Sequence, residues 1–307
     1  VARLAEELAG FAGAPVALER PANAEHGDYA TNVALQVAPV RKQPPRELAQ
    51  SLVEAVGKLE LVERAEVAGP GFVNLWLAPA WYGEALGDIL ESGEGYGGGF
   101  AERGERVQVE MVSANPTGPL TVAHARNAAY GDSVARLLEL AGHEVEREYY
   151  YNDAGQQMER FYASVEAVRR GEEPPEDGYR GDYIAELARD PGDPVPPMLE
   201  RIERTLERFR VHFDTWALES EVEAEIPEAI ALLDTFEADG AVWARTSAHG
   251  DDKDRVVVRS DGTPGYFAAD AAYVRRKYAR GFDRLIYILG ADHHGYVARL
   301  QALAVML

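Results

Sequence analysis

Along residues 107–112, Val107, Val109 and Met111 alternate with Gln108, Glu110 and Val112, a period of two that predicts a strand. The alternation stops at Asn115-Pro116-Thr117-Gly118-Pro119, a run of turn formers. From Val122 to Tyr130 there is no Gly or Pro, and Ala123, Ala125, Ala128 and Ala129 favour a helix that starts at once. Strand, tight loop and helix N-terminus leave backbone N–H groups unpaired and aimed at the loop, an arrangement suited to an anion and above all to a phosphate. A second strand near Glu144–Tyr150 completes a β-α-β unit. Right-handed crossover makes the two strands parallel, with a ligand crevice at their carboxyl ends.

The pattern before and after this unit is different in kind. Residues 1 to about 85 read as a small α/β module: Leu4, Leu8 and Phe11 form one helical stripe, and Leu48, Leu52, Val53 and Val56 a second after Pro44-Pro45. A turn at Gly69-Pro70-Gly71 leads into a strand, Phe72–Leu77. The Gly-rich stretch 92–99 is a connector, which places a domain boundary within 84–100 and gives domains 1–90 and 100–307. Its glycine spacing precedes a strand instead of following one, so it does not make a dinucleotide site. Residues 156 to about 235 read as a helical insertion, with Leu199, Ile202, Leu206 and Phe209 at helical spacing. The acidic tract 219–228 reads as a solvated face. Val256–Val258 and the turn 260–264 return the chain to the core, a helix follows over 268–278, and 285–289 is a buried strand. The sequence ADHHGY then leads into a final helix.

Composition narrows the class of protein. At 307 residues the chain can bury a full core, and zero Cys excludes disulfides and thiolate metal sites. No window of about 20 apolar residues occurs and no basic-then-apolar leader opens the chain, so a soluble, cytoplasmic protein without a membrane partner is expected. The formal charge of −21 argues against a nucleic-acid partner unless a local basic track exists. Arg275-Arg276-Lys277 and Arg169-Arg170 are candidates for pieces of one.

The stretch VEMVSANPTGPLTVAHARNAAYGD resembles the signature region of the arginyl-tRNA synthetases, class I enzymes. The resemblance continues in HGDYATNVAL, AGPGFVNLWL, REYYYNDAGQQ, GDDKDRVVVRSDGTPGYFAADAAY and GADHHGYVARL, so it covers nearly all of the chain in a fixed order. It implies a Rossmann-like parallel-sheet catalytic domain with a helical insertion, preceded by a small α/β domain that touches tRNA. The implied reaction is ATP-dependent activation of L-arginine and transfer to tRNA(Arg), with Mg²⁺ bound through ATP, and a monomer is expected.

By matching motif positions, Glu110 and Asp270 become candidates for the guanidinium, which planar, bidentate carboxylates distinguish from an ammonium. Tyr266 lies one helical turn before Asp270. Asn115 and His293 are implied for the α-amino group, and Thr117, Gly118, Thr121, Ala123, His124 and Asn127 for ATP, with His124 and Thr121 as the catalytic pair. Phe72 and Asn74, on one side of a period-two strand, are candidates to stack on and read a tRNA base. His293 and His294 do not form a metal pair, since adjacent side chains diverge and no further ligand completes a site. Two positions depart from the family pattern: Thr121 replaces a histidine and Ala123 a glycine. Up to Leu307 there is no KMSK-like loop and no anticodon-binding domain, so a poorly active fragment is expected. The alternative is a diverged paralogue that binds tRNA or arginine without catalysis.

Overall fold

The computed structural model describes residues 2–307, apart from the side chains of Ala2, Ala291, Asp292 and His294. The chain divides into two compact units, Val1–Tyr96 and Gly97–Leu307. The first contains α1 (Ala2–Ala12), β1 (Tyr29–Thr31), α2 (Val33–Arg41), α3 (Pro45–Val56), β2 (Val62–Ala68), β3 (Phe72–Leu77) and α4 (Pro79–Ser92). Its antiparallel sheet has the order β1-β3-β2. Leu4 and Leu8 of α1 and Leu48, Leu52 and Val56 of α3 are buried in one cluster with Val73, Leu75 and Leu77 of β3. Phe11 is 43% exposed and leaves the helical stripe at Leu8, with Ala12 taking the buried place. Helix α4 escapes the patterning because Gly83 and Gly87 interrupt it and none of its side chains is buried.

The second unit begins with β4 (Arg106–Glu110), α5 (Val122–Ala141) and β5 (Glu144–Tyr151). Then come α6 (Gln156–Arg169), α7 (Asp182–Leu187), α8 (Val195–Arg208) and β6 (Thr215–Leu218). The chain continues through α9 (Glu219–Glu223), α10 (Ile226–Ile230), β7 (Thr235–Ala238), β8 (Ala241–Ala244) and β9 (Arg255–Val258). It closes with α11 (Tyr266–Ala279), β10 (Arg284–Tyr287) and α12 (Val297–Met306). A four-stranded sheet of order β10-β4-β5-β6 is parallel throughout, as a right-handed β-α-β unit requires. Val107 and Val109 are fully buried against Ala135 of α5. The helix comes close to the end of β4 at Gly131, where a Cβ would stand 2.4 Å from Met111 Sδ.

Several expectations need correction. Residues 156–235 are not wholly helical: β6 returns within them as the fourth strand of the sheet, and four residues of Thr-Trp-Ala-Leu are too few to show a period. Strand β9 does not rejoin the parallel core but pairs with β8 in a separate antiparallel sheet, β7-β8-β9. Strand β10 is an edge strand and only half-buried. Phe209 lies just past the end of α8 and is 48% exposed. The acidic tract is not merely solvated, because it neutralises the supposed basic track: Glu221 pairs with Arg276 at 2.7 Å and Glu228 with Arg275 at 2.5 Å. Lys277 is buried, and Arg169 and Arg170 pair with Glu166 and Glu172.

Candidate active site

Strand β4 ends at Glu110, and the chain then turns out of the sheet through two left-handed residues, Val112 at φ +68° and Ser113 at φ +43°. A β-branched residue in that region is strained and must be held by its surroundings. Here the Val112 N–H donates to Asn127 Oδ1 at 2.7 Å, and Asn127 Nδ2 donates to the Ile288 carbonyl at 2.7 Å. Asn127 on α5 thus ties together the carboxyl ends of β4 and β10. Ser113 Oγ donates to Glu110 Oε1 at 3.1 Å and accepts from the Tyr150 N–H at 3.2 Å.

A cavity of about 430 Å³ opens at these strand ends, and Glu110, Asp270, Tyr266, Asn127 and His293 all line it, together with Glu219. Glu110 is only 9% exposed, and Asp270 sits in the second turn of α11, whose N-cap is Gly265. Tyr266 is 82% exposed at the mouth, with the Arg259 guanidinium 5.5 Å from its ring centroid.

Behind the cavity lies a buried ionic network. Lys277 Nζ is 2.5 Å from Glu110 Oε2 and 3.3 Å from Glu148 Oε1, between the rings of Tyr273 and Tyr287 at 4.2 Å each. Glu148 also accepts from Gln108, Tyr273 and Arg280. Although burial opposes its charge, Lys277, Tyr273 and Arg280 hold its carboxyl below the usual range. Two buried carboxylates therefore meet two cations, and a third, the half-buried Glu146, shares Arg280, so the network keeps one net negative charge. Asp270 stands outside this balance. Its Oδ2 is buried without a hydrogen-bond partner, as is the Tyr287 hydroxyl lining the same cavity. Burial pushes the Asp270 carboxyl up to about 6; Glu110 and Glu219 add to the rise and Arg299 opposes it.

A second cavity, of about 390 Å³, lies along the loop from Ala114 to Pro119 and includes Asn115, Thr117, Gly118 and His124. Asn115 is therefore not brought to the cavity of Glu110 and Asp270. Its Nδ2 donates to Gln157 at 2.6 Å and its Oδ1 accepts from the Asn152 N–H at 2.9 Å. Thr121 is the N-cap of α5, and its backbone N–H donates to His124 Nδ1 at 3.0 Å. Nδ1 is thus unprotonated and the neutral ring carries its proton on Nε2. Burial lowers the His124 pKa, which favours that neutral form. Ala123 is exposed in the first turn of the same helix.

Two family profiles match this chain: "Arginyl tRNA synthetase N terminal domain" over residues 2–77, and "tRNA synthetases class I (R), catalytic domain" over 86–174. The second match spans both β4 and the α5 N-terminus, where the two cavities lie. The chain belongs to the arginyl-tRNA synthetase family. It is 48% identical to an arginine–tRNA ligase of Frankia alni over 94% of its length, and 42% identical to one of Oceanobacillus iheyensis over 94%. It spans 57% and 58% of those relatives, a little over half of each. The arginyl-tRNA synthetase of Thermus thermophilus superposes with a TM-score of 0.56 at 27% identity, covering 89% of this chain and 52% of that one.

Two groups, one in the cavity wall and one directly behind it, escape sequence reasoning. Glu219 belongs to the acidic tract whose composition predicts a solvated face, yet it lines the cavity, and burial raises its pKa. Its signal was its place directly after Leu218, at the carboxyl end of a strand too short to recognise. Lys277 was grouped with its two arginines, although its position seven residues after Asp270 puts it on the same face of α11. In the N-terminal unit, Phe72 is 39% exposed at the start of β3, whereas Asn74, paired on both sides by β1 and β2, is only 7% exposed. His293 is exposed at its cavity, and the His294 side chain lies outside the described residues. Among the described residues no group of three or more His, Asp or Glu could hold a metal ion, and no helix is long and apolar enough to cross a membrane.

Proposed function

We propose that this chain carries the arginine-activating site of an arginyl-tRNA synthetase. An arginine carboxylate oxygen attacks the α-phosphorus of ATP, the bond to the bridging oxygen breaks, and arginyl-adenylate and pyrophosphate form. A terminal ribose hydroxyl of tRNA(Arg) then attacks the arginyl carbonyl carbon, the mixed anhydride bond breaks, and AMP and the hydroxyl proton leave as arginyl-tRNA forms. The observation that carries this reading is the unpartnered Asp270 Oδ2, buried in a cavity that also contains Glu110 and Glu219. A planar guanidinium satisfies several carboxylate oxygens at once, which a point-charge ammonium does less well.

We assign the α-amino end of an arginine whose guanidinium lies by Asp270 to Asn115, which lines the next cavity along the loop, and to His293, which lines the first. Thr117 and Gly118 give the loop its turn, and at the α5 N-terminus, just past the N-cap Thr121, the Ala123 N–H offers a donor to the phosphates. The Nε2 proton of His124 can donate to a phosphate oxygen as charge builds in the transition state, an interaction worth roughly 3–4 kcal/mol for one preorganised donor. Asn127 acts through the backbone it braces. Mg²⁺ would arrive on the nucleotide, held through its phosphates. Exposed Phe72 supports a stacking contact to a tRNA base, while Asn74 could read the base only at an edge, since so little of it is accessible.

Isothermal titration with L-arginine and L-lysine tests this reading. Arginine should bind and lysine should not, and Asp270→Ala should abolish the heat; equal affinity for the two amino acids would reject the guanidinium site. Arginine-dependent pyrophosphate exchange in the presence of tRNA separates a catalyst from a diverged paralogue with Thr121 and Ala123 in its signature.

A further inference from the structure

Among the described residues, two of the buried side-chain atoms left without a hydrogen-bond partner belong to residues that line the amino-acid cavity: Asp270 Oδ2 and the Tyr287 hydroxyl. The first carries the functional reading above, and the second has no part in it. A buried hydroxyl that has given up water and found no partner destabilises the fold, so its presence calls for a reason.

Tyr287 ends β10, and in the parallel register of the sheet it stands beside Glu110 of β4. Its ring takes the Lys277 ammonium, with Nζ 4.2 Å from the ring centroid. That contact needs the ring and not the hydroxyl, so a phenylalanine would make it as well. Tyr273 holds the same ammonium at 4.2 Å from its own ring, but its hydroxyl donates to Glu148. Two tyrosines thus flank one lysine, and the oxygen of one of them is idle.

The acceptors around the cavity are unequally free. Both oxygens of Glu110 are engaged, Oε2 by Lys277 and Oε1 by Ser113, which leaves Asp270 and Glu219 to meet a cation. A guanidinium carries five N–H donors in one plane, more than one carboxylate takes in a bidentate pair. A phenol oxygen accepts such a donor without adding a negative charge to a cavity that already holds three carboxyl groups. Burial first, and then the charges of Glu110, Glu148 and Asp270, hold the Tyr287 pKa well above its ordinary value, so the hydroxyl stays neutral.

We propose that the Tyr287 hydroxyl is a specificity-determining group of the amino-acid site, where it accepts an N–H of the substrate guanidinium that the carboxylates leave over. The proposal rests on the synthetase reading of that cavity. It gives a reason for a tyrosine where phenylalanine would suffice for Lys277, and it names the occupant that satisfies both idle oxygens. Asp270 Oδ2 and the Tyr287 hydroxyl do not bond to each other, so that occupant must present donors at separate points. A flat guanidinium does so, whereas an ammonium gathers its three donors on one atom.

Tyr287→Phe tests this, with L-arginine as the probe in isothermal titration and the thermal midpoint of the ligand-free chain as a second measurement. Loss of one acceptor for a charged donor should weaken arginine binding at least about tenfold. The ligand-free midpoint should rise by about 2–4 °C, because the variant no longer buries an unpaired hydroxyl. Tyr273→Phe removes a hydroxyl that already serves Glu148, and its midpoint should fall. A purely structural role for Tyr287 would lower midpoint and affinity together, and circular dichroism reports the fold of each variant. Arginine selectivity in the parent with unchanged affinity in Tyr287→Phe would overturn the proposal and leave the synthetase reading standing. A Tyr287→Phe midpoint at or below the parent's would overturn it too. Equal binding of lysine and arginine by the parent would sink the synthetase reading and the proposal with it.

Discussion

Lys277 Nζ lies 2.5 Å from Glu110 Oε2, and the lysine side chain is 1% exposed. A cation of the protein's own thus occupies one of the carboxylates assigned to the guanidinium site. It also lowers the charge that the cavity wall presents: Lys277 answers Glu110, and Arg280 is shared by Glu148 and by Glu146, which does not line the cavity, so a ligand cation answers chiefly to Asp270 and Glu219. Lys277→Met should leave two buried carboxylates short of a partner and cost about 3–5 kcal/mol. Urea denaturation would show the loss as a lower midpoint at unchanged slope. A Glu110→Gln/Lys277→Met double variant should recover part of it, since one of the stranded charges is gone.

Asp270 gives a prediction of the opposite sign. Its folded-state pKa of about 6 lies above the model-compound value of 3.8, so the folded chain binds more protons than the unfolded chain between those limits. Stability therefore falls as pH rises through that window, and the cost is complete above it, at about 3 kcal/mol for a shift of this size. Asp270→Asn should raise the thermal midpoint at pH 8 and change it little at pH 4, while abolishing arginine binding. A midpoint lowered at pH 8 would contradict the assignment.

Arginine affinity should carry the same titration. Below about pH 6 the free Asp270 carboxyl holds a proton that must leave before it can pair with a guanidinium. The dissociation constant should rise by up to about tenfold per pH unit below 6 and level off above 7. Calorimetry in two buffers of different ionisation enthalpy would detect the proton released on binding near pH 6.

The contact between Gly131 and Met111 is steric. Gly131→Ala places a methyl group 2.4 Å from Met111 Sδ and 2.7 Å from its Cβ, so α5 must back away from the end of β4, at a cost of roughly 1–3 kcal/mol. Because α5 also holds Asn127, arginine binding should weaken along with stability. Met111→Ala in the same chain should restore part of both, which a purely local helix effect would not allow.

What could be read from the sequence follows from how each element is held. Strand β4 and helix α5 bury a regular face and carry strong periodicity, and Glu110 and Asp270 could be assigned because they sit in recognisable runs. The four-residue strands β6 and β9 are too short for a period to appear, so β6 was absorbed into an insertion and β9 was sent to the wrong sheet. Glu219 and the pairing of Arg275 and Arg276 were hidden for a related reason: their partners are about 50 residues away, and charge runs look alike whether they face solvent or one another. The separation of Asn115 from Glu110 depends on two left-handed residues, Val112 and Ser113, and side chains such as valine give no hint of that conformation.

That reversal of hand has a mechanical consequence. Ser113 grips Glu110 with its hydroxyl while its own carbonyl leads into Ala114 and Asn115, so the two cavities share one short stretch of tensioned backbone. A ligand that drew the Glu110 carboxylate toward itself would pull on Ser113 and, through it, on the loop facing the other compartment. Only two peptide units, Ser113–Ala114 and Ala114–Asn115, separate that hydroxyl grip from the side chain that lines the other compartment.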